Sequence, residues 1–192
     1  FSIWVDNAPN PHIPPLAADF TFFGGVYRDV YLIVTNKIHF NLIDDSNNGV
    51  YWQTPKVSKE AANLRIFGSL VNDSKSNESI FIEHTIVDQE GKKIENSTSK
   101  IISLAGQTYN FESSFTIKNP TLWSPDNPYR YQIVSKILNE QGDVIDQTSN
   151  PLGFRWFEFN ADNGFHLNGK PLKLIGANRH QDYPGLGNAL PD

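Results

Sequence analysis

The 192-residue chain contains no cysteine. Disulfides, thiolate catalysis and cysteine-ligated metals are therefore excluded. That absence suits a reducing cytoplasm and equally a secreted, periplasmic protein without covalent staples, so the compartment stays open. Methionine is absent too. The chain carries no initiator, and both ends read as cuts through a longer protein: Phe1-Ser-Ile-Trp-Val5 resembles the middle of a strand, and Asn188-Ala-Leu-Pro-Asp192 stops in a loop. No run of about 18 apolar residues occurs, so no membrane span is expected. The first six residues lack the basic and apolar regions of a signal peptide. Positive charge is in deficit, 16 Lys and Arg against 21 Asp and Glu, which argues against a nucleic-acid or anionic-membrane partner. His12, His39, His84 and His166 are scattered without ligand spacing, so no zinc site is expected.

What is present is β-sheet. Hydrophobic residues make up 39% of the chain and aromatics 12%, enough for a packed core rather than disorder. Apolar and polar residues alternate over Lys37–Ile43, Asn63–Val71, Ile80–Val87, Asn110–Ile117, Tyr129–Leu138 and Gly153–Phe159, as half-buried strands require. Turn formers separate them, among them Asn72-Asp-Ser74, Gln89-Glu-Gly91 and Glu140-Gln-Gly-Asp143. Only Ser58-Lys-Glu-Ala-Ala62 hints at a helix. About seven strands over roughly 120 residues predict an all-β fold centred on an immunoglobulin-like β-sandwich over residues 37–160. Trp123, in a proline-rich bend, is expected to plug one end of it. Glu83, Glu112 and Glu158 alternate with apolar residues and are expected to face solvent.

Two pieces fall outside this sandwich. Residues 1–36 hold a proline-rich loop and a strand pattern over Val26–Val34. Residues 161–192 open with two alternating segments around Asn168-Gly169, a strong hairpin turn. The second segment runs into the polar cluster Asn178-Arg-His-Gln-Asp182, placed as α/β barrels place their chemistry, at a strand's C-terminal end. Asp44-Asp-Ser-Asn-Asn-Gly49 reads as a turn, because Pro55 stands where a calcium loop needs its bidentate acid. Asn72, Asn77 and Asn96 begin triplets that match glycosylation acceptors, a match that an Asn- and Ser-rich surface produces by chance.

The motifs Asp19-Phe-Thr-Phe-Phe-Gly-Gly-Val-Tyr-Arg-Asp-Val30, Leu122-Trp-Ser-Pro-Asp-Asn-Pro-Tyr129, Gly153-Phe-Arg-Trp156 and Phe165-His-Leu-Asn-Gly-Lys-Pro through Asp182 together resemble glycoside hydrolase family 2, in its β-galactosidase-like form. The resemblance spans the chain, in family order. It implies the C-terminal strands of a sugar-binding jelly-roll domain over 1–36, the sandwich over 37–160, and the hairpin and first strand of a catalytic TIM barrel over 161–192. Family members are retaining hydrolases that use two carboxylates about 5 Å apart. Both are glutamates on later barrel strands, so the resemblance implies no catalytic residue within these 192 positions. The parent is expected to cleave terminal β-galactosides, with the sandwich as a rigid spacer between Asp19 and His180.

The resemblance assigns substrate contacts to Asp19, Asn178, His180 and Asp182. Asp19 would bind vicinal hydroxyls or a cation; by itself it reads equally as a turn acid. His180 suits hydrogen bonding to the sugar. Arg179 braces the site or pairs with a barrel acid, and Arg28 and Asp29, on alternate faces of one strand, supply an interdomain ion pair. No cofactor is required by this segment, although Mg or Na is possible in the parent, as is a homo-oligomer. Two alternatives stand beside this reading. The chain could be a carbohydrate-binding or interaction module with Tyr51, Trp52 and Trp156 as its aromatic platform, or the parent could act on β-glucuronides or β-mannosides. Separation from neighbouring domains should also expose apolar surface at Phe20, Phe22, Phe23 and along 165–175.

Overall fold

The computed structural model describes residues 2–12, 24–43, 47–178, 183–187 and 189. The chain divides into two units, Val34–Lys173 and a second made of Phe1–Ile33 with Leu174–Asp192.

The larger unit is an all-β, immunoglobulin-like sandwich followed by a small three-stranded sheet. Its spine is β3 (Ala61–Asn72), where alternation turns Ala62, Leu64, Ile66 and Leu70 inward. One edge of β3 pairs antiparallel with β6 (Thr108–Lys118) from Ala61↔Lys118 to Val71↔Thr108. The other edge is shared end to end by β2 (Val50–Val57) and β1 (Ile38–Phe40). The opposing sheet runs β5-β4-β7-β8, all antiparallel, formed by Lys93–Ser103, Glu78–Val87, Tyr131–Leu138 and Val144–Leu152.

Between the sheets lie Ile80, Ile82 and Ile86 of β4, Ile133 and Ile137 of β7, and Phe115 and Ile117 of β6, with Phe40 and Phe154 among the largest fully enclosed side chains. Each such aliphatic contributes roughly 1.5–3 kcal/mol by leaving water, so the core needs no disulfide. Five of the six strands expected from alternation are present, with shifted ends; of the sixth, Gly153–Phe159, only Phe157 onward is strand, and it joins the small sheet beyond the sandwich. Three more were not marked by it: β2, β5 and β8. Pro55 interrupts β2 at a bulge between Gln53 and Lys56, Pro151 stands in β8, and β5 is mostly polar and exposed. All three run along sheet edges, where proline and polar residues are tolerated and suppress further pairing.

The helical hint at Ser58–Ala62 is a turn. The Ser58 hydroxyl accepts hydrogen bonds from the amides of Glu60 and Ala61 at 3.2 and 3.1 Å, turning β2 back into β3. Glu112 and Glu158 are exposed as expected, whereas Glu83 is half-buried and 4.0 Å from Lys136. Asn72 is fully buried. It donates to the carbonyls of Ser76 and Ser103, both at 3.1 Å, so its triplet is a structural knot and not an acceptor for glycan.

Beyond the sandwich, β9 (Phe157–Asn160), β10 (Gly164–Leu167) and β11 (Lys170–Pro171) form the three-stranded sheet. Asn168 and Gly169 both take positive φ, 52° and 75°, as a tight two-residue hairpin turn demands. The second hairpin strand, expected to reach Ile175, pairs only as far as Pro171, which has no amide to donate; the next backbone bond is Leu172 N–H to the Phe165 carbonyl at 2.9 Å.

The expected strand over Val26–Val34, which lies in the second unit up to Ile33, is not formed. Those residues are extended without a ladder, and Val30, Leu32 and Val34 are largely exposed. A strand exists only through a neighbour's backbone groups, and among the described residues none pairs here. Tyr183 and Gly187 form a single antiparallel bridge.

Candidate functional site

The residues assigned to substrate fall mostly at the limits of what the structure describes. Asp19, Arg179, His180 and Asp182 lie outside the described residues, as do Phe20, Phe22 and Phe23. Asn178 is described and exposed. Asp29 accepts a hydrogen bond from the Tyr31 hydroxyl at 2.9 Å, and the Arg28 guanidinium sits 5.7 Å from the centre of the Tyr27 ring. Both are contacts with near neighbours in sequence, on an exposed segment.

Two open clefts are lined by described residues. One, of about 420 Å³, is lined by Asp88, Arg130, Gln132 and Ser149; the other, of about 310 Å³, by Lys59, Asp126, Asn168 and Lys170 among others. Each holds a single carboxylate, where glycoside hydrolysis needs two. Glu112 is held below the ordinary carboxylate range by hydrogen bonds from Arg65 at 2.8 and 2.7 Å, the opposite of what a proton donor at neutral pH requires. Among the described residues no group of three or more histidines and acids is placed to hold a metal ion.

The aromatic platform is also not assembled. Tyr51 stacks on its cross-strand partner Phe67 with ring centres 5.7 Å apart, and the Arg65 guanidinium covers Phe67 at 4.6 Å. Trp52 packs against the core. Trp156 is half-buried, and its backbone engages the hairpin turn.

The most constructed feature outside the core is the joint between the sandwich end and the hairpin. The chain leaves β8 through Gly153, where an added Cβ would stand 3.2 Å from that of Trp123. The Trp123 amide donates to the Phe154 carbonyl at 2.8 Å, and Arg155 lies over the Trp123 ring at 4.8 Å. Trp123 is half-buried, and its neighbours are Gly153, Arg155 and Asn168 rather than the sandwich core. Asn168 then binds both sides. Its Oδ1 accepts from the Trp156 amide at 3.1 Å, its Nδ2 donates to the Trp123 carbonyl at 3.0 Å, and its backbone amide donates to the Trp156 carbonyl at 2.9 Å. Sequence reasoning took Asn168 only for a turn former. The available signal was the pair of tryptophan motifs upstream, which have no other reason to sit beside an Asn-Gly turn.

The motifs that build this joint also mark descent. The sequence profile of Glycosyl hydrolases family 2 matches residues 46–155, more than half of the chain. The chain belongs to this family. It is 35% identical over 188 residues to a β-glucuronidase of Bacteroides fragilis, covering 97% of this chain and 26% of that protein. It is 31% identical over 193 residues to a β-galactosidase of Thermoanaerobacter pseudethanolicus, covering the whole chain and 24% of that protein. The crystal structure of Bacteroides uniformis β-glucuronidase superposes with a TM-score of 0.93 at 40% identity, covering 97% of this chain and 22% of that one. The family 2 chain therefore spans about a quarter of the length of the relatives it matches.

Proposed function

We propose that this family 2 chain is the central segment of a retaining glycosidase. It links a sugar-binding domain to a catalytic barrel and carries neither catalytic glutamate. The parent hydrolyses terminal β-glycosides, with β-galactosides as the first substrate class. The observation that carries the reading is the match of nearly the whole chain to about a quarter of larger glycosidases.

Within this reading Asp19, Asn178, His180 and Asp182 contact the sugar, Asp19 being also the candidate cation ligand, and Arg179, Arg28 and Asp29 support them. A carboxylate accepts two hydrogen bonds from vicinal hydroxyls, and an imidazole can donate from one nitrogen while the other is held by a neighbour. A second reading, that the parent acts on β-glucuronides, has its own support. The two β-glucuronidases compared above are 35% and 40% identical to the chain, against 31% for the galactosidase.

Turnover of chromogenic β-galactosides and β-glucuronides by the full-length protein tests both. Galactoside hydrolysis supports the first reading, and preference for the glucuronide replaces it with the second. The 192-residue segment alone should leave either substrate intact. Turnover by the segment would overturn the assignment of the catalytic groups to other parts of the parent.

A further inference from the structure

We infer that Asn163 is a covalent modification site: it deamidates spontaneously to aspartate and isoaspartate in the turn between β9 and β10, while the side-chain bonds of Asn48 and Asn168 hold the two other Asn-Gly pairs against the same reaction. The inference is independent of which sugar the parent takes.

The chain has three such pairs, Asn48-Gly49, Asn163-Gly164 and Asn168-Gly169. Asn-Gly is the dipeptide in which the reaction meets least resistance, because glycine sets no Cβ beside the attacking nitrogen. The glycine amide nitrogen adds to the asparagine Cγ and loses its proton to water. The bond from Cγ to the side-chain nitrogen breaks, and ammonia leaves. Water then opens the cyclic imide at either carbonyl. One opening leaves an ordinary aspartate. The other routes the main chain through the side-chain carbonyl and leaves isoaspartate. Nothing is oxidised or reduced.

Sequence makes the three pairs alike, and the fold separates them. At Asn168, Oδ1 accepts from the Trp156 amide and Nδ2 donates to the Trp123 carbonyl. At Asn48, Nδ2 donates to Asn150 Oδ1 at 2.6 Å and Oδ1 accepts from the Val50 amide at 3.2 Å. In both, donor and acceptor are engaged, and a tetrahedral centre at Cγ with a departing Nδ2 must give those bonds up. The Asn163 carboxamide has no hydrogen-bond partner among the described residues. Only its backbone is tied, the amide donating to Asn160 Oδ1 at 3.1 Å.

The attacking glycines differ in the same sense. A Cβ at Gly49 would stand 2.6 Å from the Asn41 nitrogen, and one at Gly169 would stand 3.7 Å from the Trp156 ring, whereas at Gly164 nothing lies within 4 Å. Asn163 and Gly164 are both exposed, so water reaches the nitrogen and the imide. The damage is local. A new carboxylate appears beside Asp162, and isoaspartate lengthens the main chain where Gly164 pairs with Asn160 and Phe165 with Phe159.

The test follows all three asparagines in the full-length protein, held folded in mildly alkaline buffer and, in parallel, unfolded in urea. Peptide mapping by mass spectrometry reads the change from amide to acid, and an isoaspartyl methyltransferase labels the isoaspartate product. In urea the three pairs should convert at similar rates. In the folded protein Asn48 and Asn168 should fall about 10- to 100-fold behind Asn163, the factor that two hydrogen bonds supply. Equal folded-state rates at the three positions, or slowest conversion at Asn163, would overturn the inference. Asn163→Ser should remove the methyl label from folded protein, and a label that persists also counts against it. Asn150→Ala tests the cause, because it takes away the acceptor of Asn48 Nδ2. Conversion at Asn48 should then rise severalfold while Asn168, bonded elsewhere, keeps its rate. An unchanged Asn48 rate would overturn the assignment of protection to the side-chain bonds.

Discussion

His84 and Ser135 face each other across the β4–β7 pair, the imidazole Nδ1 2.8 Å from the hydroxyl, both side chains closed off from solvent in the middle of the core. The other ring nitrogen is buried without a protein partner, and the Phe111 ring lies 5.3 Å away. A neutral imidazole tolerates this setting and an imidazolium does not.

Burial lowers the His84 pKa from 6.5 to about 4. The folded state therefore stays neutral where the unfolded chain takes up a proton. Stability is complete above pH 6.5 and falls as the pH drops toward 4, by about 1.4 kcal/mol per unit and about 3 kcal/mol in all. Urea midpoints at pH 7, 6 and 5 should show the decline, and the double variant His84→Leu with Ser135→Ala should flatten it. The window matters. Glu60, Glu112 and Glu140 have lowered pKa values, so their contributions are lost only on acidification through and below the ordinary carboxylate range. A slope that survives in the double variant between pH 7 and 5 would assign the effect elsewhere.

Gly68 pairs with Val50, and a Cβ at its position would stand 2.1 Å from the Gly49 carbonyl oxygen. Backbone cannot yield as a side-chain tip can. Gly68→Ala should cost about 1–3 kcal/mol, the range for overpacking. The thermal midpoint should fall several degrees in a calorimeter, whereas an alanine at a strand position with room would be neutral or better.

Asp146 of β8 accepts the Phe40 amide of β1 at 2.8 Å, tying edge strands of the two sheets together. Without it that half-buried amide loses its acceptor. Asp146→Ala should cost about 1–3 kcal/mol, and Asp146→Asn, which keeps an acceptor, distinctly less. Equal losses in the two variants, measured by denaturant unfolding, would show that the charge and not the acceptor matters.

The core strands were legible because they alternate. Ile80-Phe-Ile-Glu-His-Thr-Ile and Tyr131-Gln-Ile-Val-Ser-Lys-Ile state their inward faces directly, and even His84 and Ser135 fall on the inward period. β2, β5 and β8 were not, because edge strands carry prolines and polar runs that mask the period. Val26–Val34 shows the reverse: a strand-like pattern cannot reveal whether a pairing partner is present. The candidate site was readable only through motif resemblance. His180 and Asp182 follow no apolar alternation in the sequence, and they lie outside the described residues. Asn168 lay between these cases, since its turn was plain and its second task depended on two tryptophans 12 and 45 residues away.

Phe154 and Phe159 are five residues apart and should respond oppositely to truncation. Phe154 is fully buried, with its ring edge-on to Tyr131 at 5.1 Å and its backbone bridged to Leu122. Removing the ring opens a cavity at the sandwich end that the rigid Trp123 joint cannot refill. Phe154→Ala should therefore cost about 3–5 kcal/mol. Phe159 is 72% exposed; its neighbours are the rings of Phe157 and Phe165 on the small sheet. Its truncation deletes surface already in water, so Phe159→Ser should stay within about 0.5 kcal/mol of the parent sequence. Denaturant unfolding of the two variants side by side decides it. A large loss at Phe159 would mean that the three-stranded sheet draws its stability from that aromatic cluster, and that burial within the chain understates what holds the hairpin in place.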